Sequence, residues 1–137
     1  MDPAQKVLIG GGLINIVYGV LTGFAFASAR QKSEFAPRYL VMAHTGPLAF
    51  GTMLMALSLA IPVSALAPDN EELAARLMVF FAVCIAVKDT YNWLAGITDE
   101  FVQKPVFSRT VGMAGVIGGM AGIAMLSVGV LRGYWAP

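Results

Sequence analysis

Four long apolar runs separated by three short polar ones make up nearly the whole chain. The runs cover about 7–28, 39–66, 73–97 and 108–131, and each is long enough, at 1.5 Å rise per helical residue, to cross a hydrocarbon layer about 30 Å thick. The pattern predicts an all-α, integral membrane four-helix bundle, with residues 1–137 forming one domain. The first run follows the opening Met1-Asp2-Pro3-Ala4-Gln5-Lys6 directly and exceeds the length of a signal-peptide core, so it reads as a retained span.

Punctuation within the runs sharpens this picture. The first contains Asn15, Tyr18 and Thr22 and a Gly19/Gly23 pair at GxxxG spacing. Pro37 opens the second, which carries Pro47 inside it and Pro62 near its end, where a bend or an early stop is expected. Asp69 or Asn70 is expected to cap the third helix, with Glu71 and Glu72 solvated in its first turn. The fourth holds two overlapping GxxxG pairs, Gly115/Gly119 and Gly118/Gly122, a packing signal for the bundle or for another subunit. Tyr134 and Trp135, just after Arg132, suit an interfacial anchor.

Composition agrees with bilayer residence. Hydrophobic residues are 58% of the chain and charged ones 12%, and the mean hydropathy is +0.73. A net charge of +1 provides no basic surface for a phosphate backbone, so nucleic acid is not an expected partner. The single cysteine, Cys84, excludes an internal disulfide and reads as a small buried hydrophobe. Five basic residues (Arg30, Lys32, Arg38, Lys104 and Arg109) flank one end of the spans and three (Lys6, Arg76 and Arg132) the other, which orients both termini outside the cytoplasm.

Candidate chemistry centres on the run Val41-Met42-Ala43-His44-Thr45-Gly46-Pro47, which carries the chain's only histidine. An imidazole in hydrocarbon needs a partner. Pro47 offers no N–H and its ring clashes with the carbonyl of Ala43, so a kink is expected beside His44; Gly46 and Gly51 remove side-chain bulk there. The third run is interrupted by Lys88-Asp89-Thr90-Tyr91-Asn92-Trp93, where Asp89 and Asn92 share a helical face. Counted from the nearer loop, His44 lies roughly 9 Å deep and Asp89 roughly 15 Å deep at 1.5 Å per residue, in one half of the membrane. Asp89 and Asn92, with Lys88 adjoining, are therefore candidates to face a pocket floored by His44, with Tyr91 directed elsewhere. The methionines Met42, Met53 and Met55 read as adaptable core filler.

Hydrolytic motifs are absent from the sequence, and one histidine does not make a multi-histidine zinc site. A lone neutral imidazole with space beside it suits haem, whose iron takes one proximal histidine and leaves its far face open or held by a methionine.

The run Ala43-His44-Thr45-Gly46-Pro47, followed by Gly51 and Ile61-Pro62, resembles the second helix of the styrene oxide isomerase family. The similarity continues loosely through Ala75-Arg76-Leu77 and Asp89 to Trp93, about half of the chain. The resemblance implies haem b with His44 as iron ligand and Gly46, Pro47 and Gly51 beside it, a homotrimer, and isomerisation of a small hydrophobic aryl epoxide to an aldehyde. Lewis-acid activation at ferric iron, C–O cleavage and a 1,2-hydride shift would complete the reaction, with Asp89, Asn92 and Tyr91 as catalytic candidates. A bacterial inner membrane is the expected location. The chain departs from the family pattern at Phe50, where an asparagine is expected, and late in the third helix, where Trp93 or Ile97 replaces a tyrosine. Two other readings stay open: a membrane haem protein for electron transfer or gas sensing, and a non-enzymatic assembly or proton-pathway subunit built around Lys88 and Asp89.

Overall fold

A computed structural model describes residues 1–135 and is helical throughout, with no strand among the described residues. Its elements are α1 (Pro3–Lys32), α2 (Arg38–Ser58), a 3-10 turn (Ile61–Val63), α3 (Pro68–Leu94), the short α4 (Glu100–Gln103) and α5 (Val106–Trp135). Among the described residues three segments are long and apolar enough to cross a membrane: Pro3–Lys32, Arg38–Val63 and Val106–Trp135. Helix α3 is comparably long but is not among them; its sequence includes Lys88, Asp89 and an acidic first turn.

Local chemistry sets the boundaries. Asp2 caps α1 by accepting from Ala4 N, and Gln5 closes a reciprocal capping box with Pro3 at the first helical position. Helix α2 stops at Ser58, and Pro62 falls in the 3-10 turn, so the early stop expected near that proline is observed. The start of α3 differs from expectation. Ala67 is its N-cap and Pro68 its first residue, without a side-chain cap, because proline's missing N–H and fixed φ already suit that position. Asp69 and Asn70 consequently fall inside the first turn. Glu71 is buried at 6% exposure, not solvated, while Glu72 pairs with Arg76 on the surface, 2.9 Å from its Nε. Helix α3 also ends three residues earlier than expected. Gly96, at φ +67°, lets Ile97 N reach Asn92 O at 2.9 Å and Gly96 N reach Trp93 O, a Schellman closure that only a residue at ease in the left-handed region permits cheaply.

The helices pack in antiparallel pairs, α1 with α2 and α3 with α5, and α3 also lies against α1 and α2. Glycine dominates the buried positions of α5, at Gly112, Gly115, Gly118, Gly119, Gly122 and Gly129, and contributes Gly11, Gly12 and Gly19 on α1. Large apolar side chains on the same helices point outward, among them Ile14, Phe24, Met113, Ile117 and Met120. Such a surface suits lipid, where association is driven by close van der Waals approach. Both GxxxG sets on α5 are consumed inside the chain: a methyl group added at Gly115 would stand 2.6 Å from Cys84 Cβ, and one at Gly119 would stand 2.7 Å from Phe81 Cγ. Cys84 is free and buried, as expected.

The two ends of the assembly differ. An apolar cluster around Leu8, Leu54, Ile61, Met78 and Leu126 fills the end where the chain begins, and the buried polar residues Asp89, Asn92 and Ser108 gather at the other, next to Tyr39.

Gly115→Val, which drives a branched side chain into Cys84, should cost about 2 kcal/mol. Gly10→Ala, with nothing within 4 Å of the added carbon, should leave stability unchanged or raise it slightly. Thermal unfolding of the two variants in detergent checks the contrast.

Candidate functional site

His44 sits in the seam between α1 and α2, where the sequence has done two things at once. Pro47 deprives the Ala43 carbonyl of its helical donor. Thr22 Oγ1 of α1 stands 3.0 Å from that carbonyl. The same hydroxyl lies 3.1 Å from Tyr18 O and 3.0 Å from Gly19 O. One proton cannot serve all three, and Ala43 O is the acceptor that has lost its normal partner. Helix α2 therefore runs on through Pro47, and the hydrogen bond it lacks there is supplied by a hydroxyl of α1.

The imidazole is fixed by the same face of α1. Its Nδ1 lies 2.7 Å from Gly19 O. A carbonyl can only accept, so Nδ1 carries the proton, and in the neutral ring Nε2 presents its lone pair. Nε2 makes no hydrogen bond among the described residues and is not sealed in the interior. Phe26 stacks on the ring with centroids 5.4 Å apart and an interplanar angle of 18°. Gly23 leaves the space the ring needs, since a methyl group there would stand 2.9 Å from His44 Cε1.

Gly51 and Pro47 are both buried in this seam, whereas Gly46 is only half-buried and its nearest neighbour is Phe50. Gly51 meets Gly12 and Ile16 of α1, so its lack of a side chain serves the helix contact. Phe50 is set edge-on to Phe81 at 4.9 Å, which makes its position an apolar joint between α2 and α3.

A second polar group lies at the loop end of α3. Lys88 Nζ bonds both carboxylate oxygens of Glu100, at 2.9 and 3.0 Å, and lies 3.1 Å from Asp89 Oδ1. Asn92 Nδ2 donates to Glu100 Oε2 at 2.9 Å, and Ser108 Oγ donates to the same oxygen at 3.1 Å. The backbone N–H of Glu100 donates to Tyr39 Oη at 3.1 Å. Asp89 and Asn92 are 3% and 0% exposed, and each retains a buried Oδ1 without a hydrogen bond; Lys88 is near enough to Asp89 for charge attraction but poorly aligned for a bond.

Asp89 and Asn92 thus share one cluster, while the partners of His44 come from α1. Tyr91 belongs to neither group. Its ring lies 4.7 Å from that of Phe107, tilted by 50°, and it lines an apolar surface hollow of about 430 Å³ with Ile14, Tyr18 and Leu94. Glu100, Tyr39 and Ser108 were not singled out by the sequence. The available signal was Asp99, whose carboxylate accepts from Phe101 N and Val102 N and starts the α4 turn that directs Glu100 inward. Burial pushes the Glu100 carboxyl up, but hydrogen bonding and charge attraction from Lys88, with Asn92 and Ser108 adding to them, hold it below the usual carboxylate value.

The donor chemistry at His44 fits haem. Among the described residues no group of three or more His, Cys, Asp or Glu side chains is arranged to hold an ion by itself. A lone imidazole with its far nitrogen presented suits a metal that arrives in a macrocycle, which needs one protein ligand. The Nδ1–H bond to a backbone carbonyl is the outer contact that orients such a ligand.

Comparison with protein-family models, with curated proteins and with solved structures finds no match.

A carboxyl held below its unfolded value, about 4.3, contributes stability above that value and loses it as pH falls through the folded one. Melting temperature should therefore drop as pH is lowered below about 4, and Glu100→Gln should flatten that dependence while costing about 2 kcal/mol near neutrality. Melting curves of both proteins across that pH range check the pair of effects.

Proposed function

We propose that this chain is a four-helix membrane protein, with α3 spanning alongside the three more apolar segments, that binds haem b through His44 Nε2 and isomerises a hydrophobic aryl epoxide to its aldehyde. The observation that carries the proposal is the His44 Nδ1 to Gly19 carbonyl contact of 2.7 Å, which holds the ring and presents the other nitrogen. Haem, when bound, supplies a Lewis acid that polarises an oxygen atom without net redox change.

The protein's own share of the work is orientation and exclusion of water. Gly19 fixes the tautomer, Phe26 and Gly23 set the plane and clearance of the ring, and Thr22 steadies the α2 turn that bears it. Apolar side chains cover the outer faces of the helices, so an apolar epoxide can arrive from the bilayer and water is scarce where it would trap a cationic carbon as a diol. Asp89 and Asn92 would act through their buried cluster and Tyr91 through its apolar hollow, each as a candidate pocket residue. The resemblance to the styrene oxide isomerase family adds a homotrimer in a bacterial inner membrane, and the five basic residues against three at the span ends put both termini outside the cytoplasm. A second reading, a subunit that stores or passes charge, draws on the Lys88, Asp89 and Glu100 cluster.

The detergent-purified protein supplied with haem should show a Soret band that His44→Ala abolishes, and Gly23→Val, which crowds the ring, should weaken it strongly. The loaded protein should convert an aryl epoxide to its aldehyde anaerobically with no electron donor. A colourless protein removes the haem reading, and a coloured one that only cycles between redox states removes the isomerase.

A further inference from the structure

The end of the chain that carries the polar cluster also carries two cations that the cluster does not use. Lys104 and Arg109 form no ion pair among the described residues, whereas Glu100, the nearest carboxylate in their cavity, is occupied by Lys88. Both cations border a groove of about 330 Å³ whose lower walls are apolar, built from Ile85, Met113 and Val116. A second, shallow apolar trough on the outer face of α5 alone, lined by Val106, Ala114 and Ile117, shares Arg109 and Met113 with the first. Arg109 therefore stands above a ridge with an apolar trough on either side.

The position of this ridge along the membrane axis is set by α5. Arg109 lies in the first turn of a segment long and apolar enough to span, which places its guanidinium at headgroup depth with the troughs running below it toward the hydrocarbon. Lys104 is the one non-glycine residue with positive φ among the described residues, at +49°. Glycine would hold that backbone without strain, and lysine there sets an ammonium at the groove mouth.

We propose that this ridge binds one anionic diacyl phospholipid, its phosphate between Lys104 and Arg109 and one acyl chain in each trough. Charge complementarity selects the headgroup, and the paired apolar grooves select a two-chain amphiphile over a free anion. The inference needs the membrane placement of α5 and does not rest on haem or on isomerase activity.

The test is native mass spectrometry of the protein released from nanodiscs that hold equal phosphatidylglycerol and phosphatidylcholine. The unmodified chain should retain phosphatidylglycerol with a preference on the order of tenfold, given the attraction of two interfacial cations. The pair K104Q/R109Q should bring the preference close to unity, the charge-keeping pair K104R/R109K should preserve it, and K6Q/R132Q, at the opposite end, should leave it unchanged. Met113→Glu provides an independent route, since this side chain is 63% exposed and a carboxylate on the shared wall should expel the lipid without disturbing helix content. Equal retention of the two lipids by the unmodified chain would overturn the proposal. So would undiminished preference in K104Q/R109Q or Met113→Glu, an equal loss in K6Q/R132Q, or displacement of the lipid by millimolar inorganic phosphate.

Discussion

In hydrocarbon a polar group unmatched by protein has no water to fall back on, and this constraint accounts for most of what is specific in the fold. Pro47 frees a carbonyl on α2, and a threonine hydroxyl on α1 stands against it. His44 brings a ring N–H to the same depth, and a carbonyl on α1 takes it. Lys88 brings a full charge, and two carboxylates close around it. Apart from Asp89, which shares α3 with Lys88, each partner comes from a neighbouring element, so the helices are tied together where their sequences are least lipid-like.

Those ties need close approach, and glycine provides it. Gly19 and Gly23 let α2 seat Leu48 and His44 directly against the α1 backbone, and the α5 glycines admit Cys84, Phe81 and the stem of Lys88. On α5 glycines face inward and most bulky side chains face out, while large apolar side chains such as Leu8, Leu54 and Met78 fill the core at the other end. The GxxxG repeats are spent within the chain, which shifts any contact between copies onto the outward-facing apolar side chains.

The placement of polar groups divides the molecule into two sites with different chemistry. The His44 seam is sparse: one imidazole bonded to the Gly19 carbonyl, the Thr22 hydroxyl against the Ala43 carbonyl, one aromatic ring and an open nitrogen. The loop-end cluster is crowded, with Glu100 receiving Lys88, Asn92 and Ser108 at once. The crowded cluster holds charge and fastens α3, α4 and α5 together. Asp89 and Asn92 belong to it, and their unpaired oxygens mark where it retains capacity for a donor.

Hydropathy periods, the prolines and the glycine spacings were enough to read an all-helical chain with long apolar segments and the early stop of α2, because these depend on local sterics and on transfer of side chains into lipid. Helix ends were read less well: Pro68 displaced the acidic cap expected at Asp69 or Asn70, and Gly96 ended α3 before Ile97, both through backbone geometry that outweighs composition. Glu100 was invisible as a site residue, since a loop carboxylate looks solvated until a capped turn swings it into the bundle. Depth along a helix is legible from counting, but the side to which a residue turns is not. His44 and Asp89 fall in the same half of the membrane by sequence, and only the packing of α1 against α2 and of α3 against α5 decided that they face different partners.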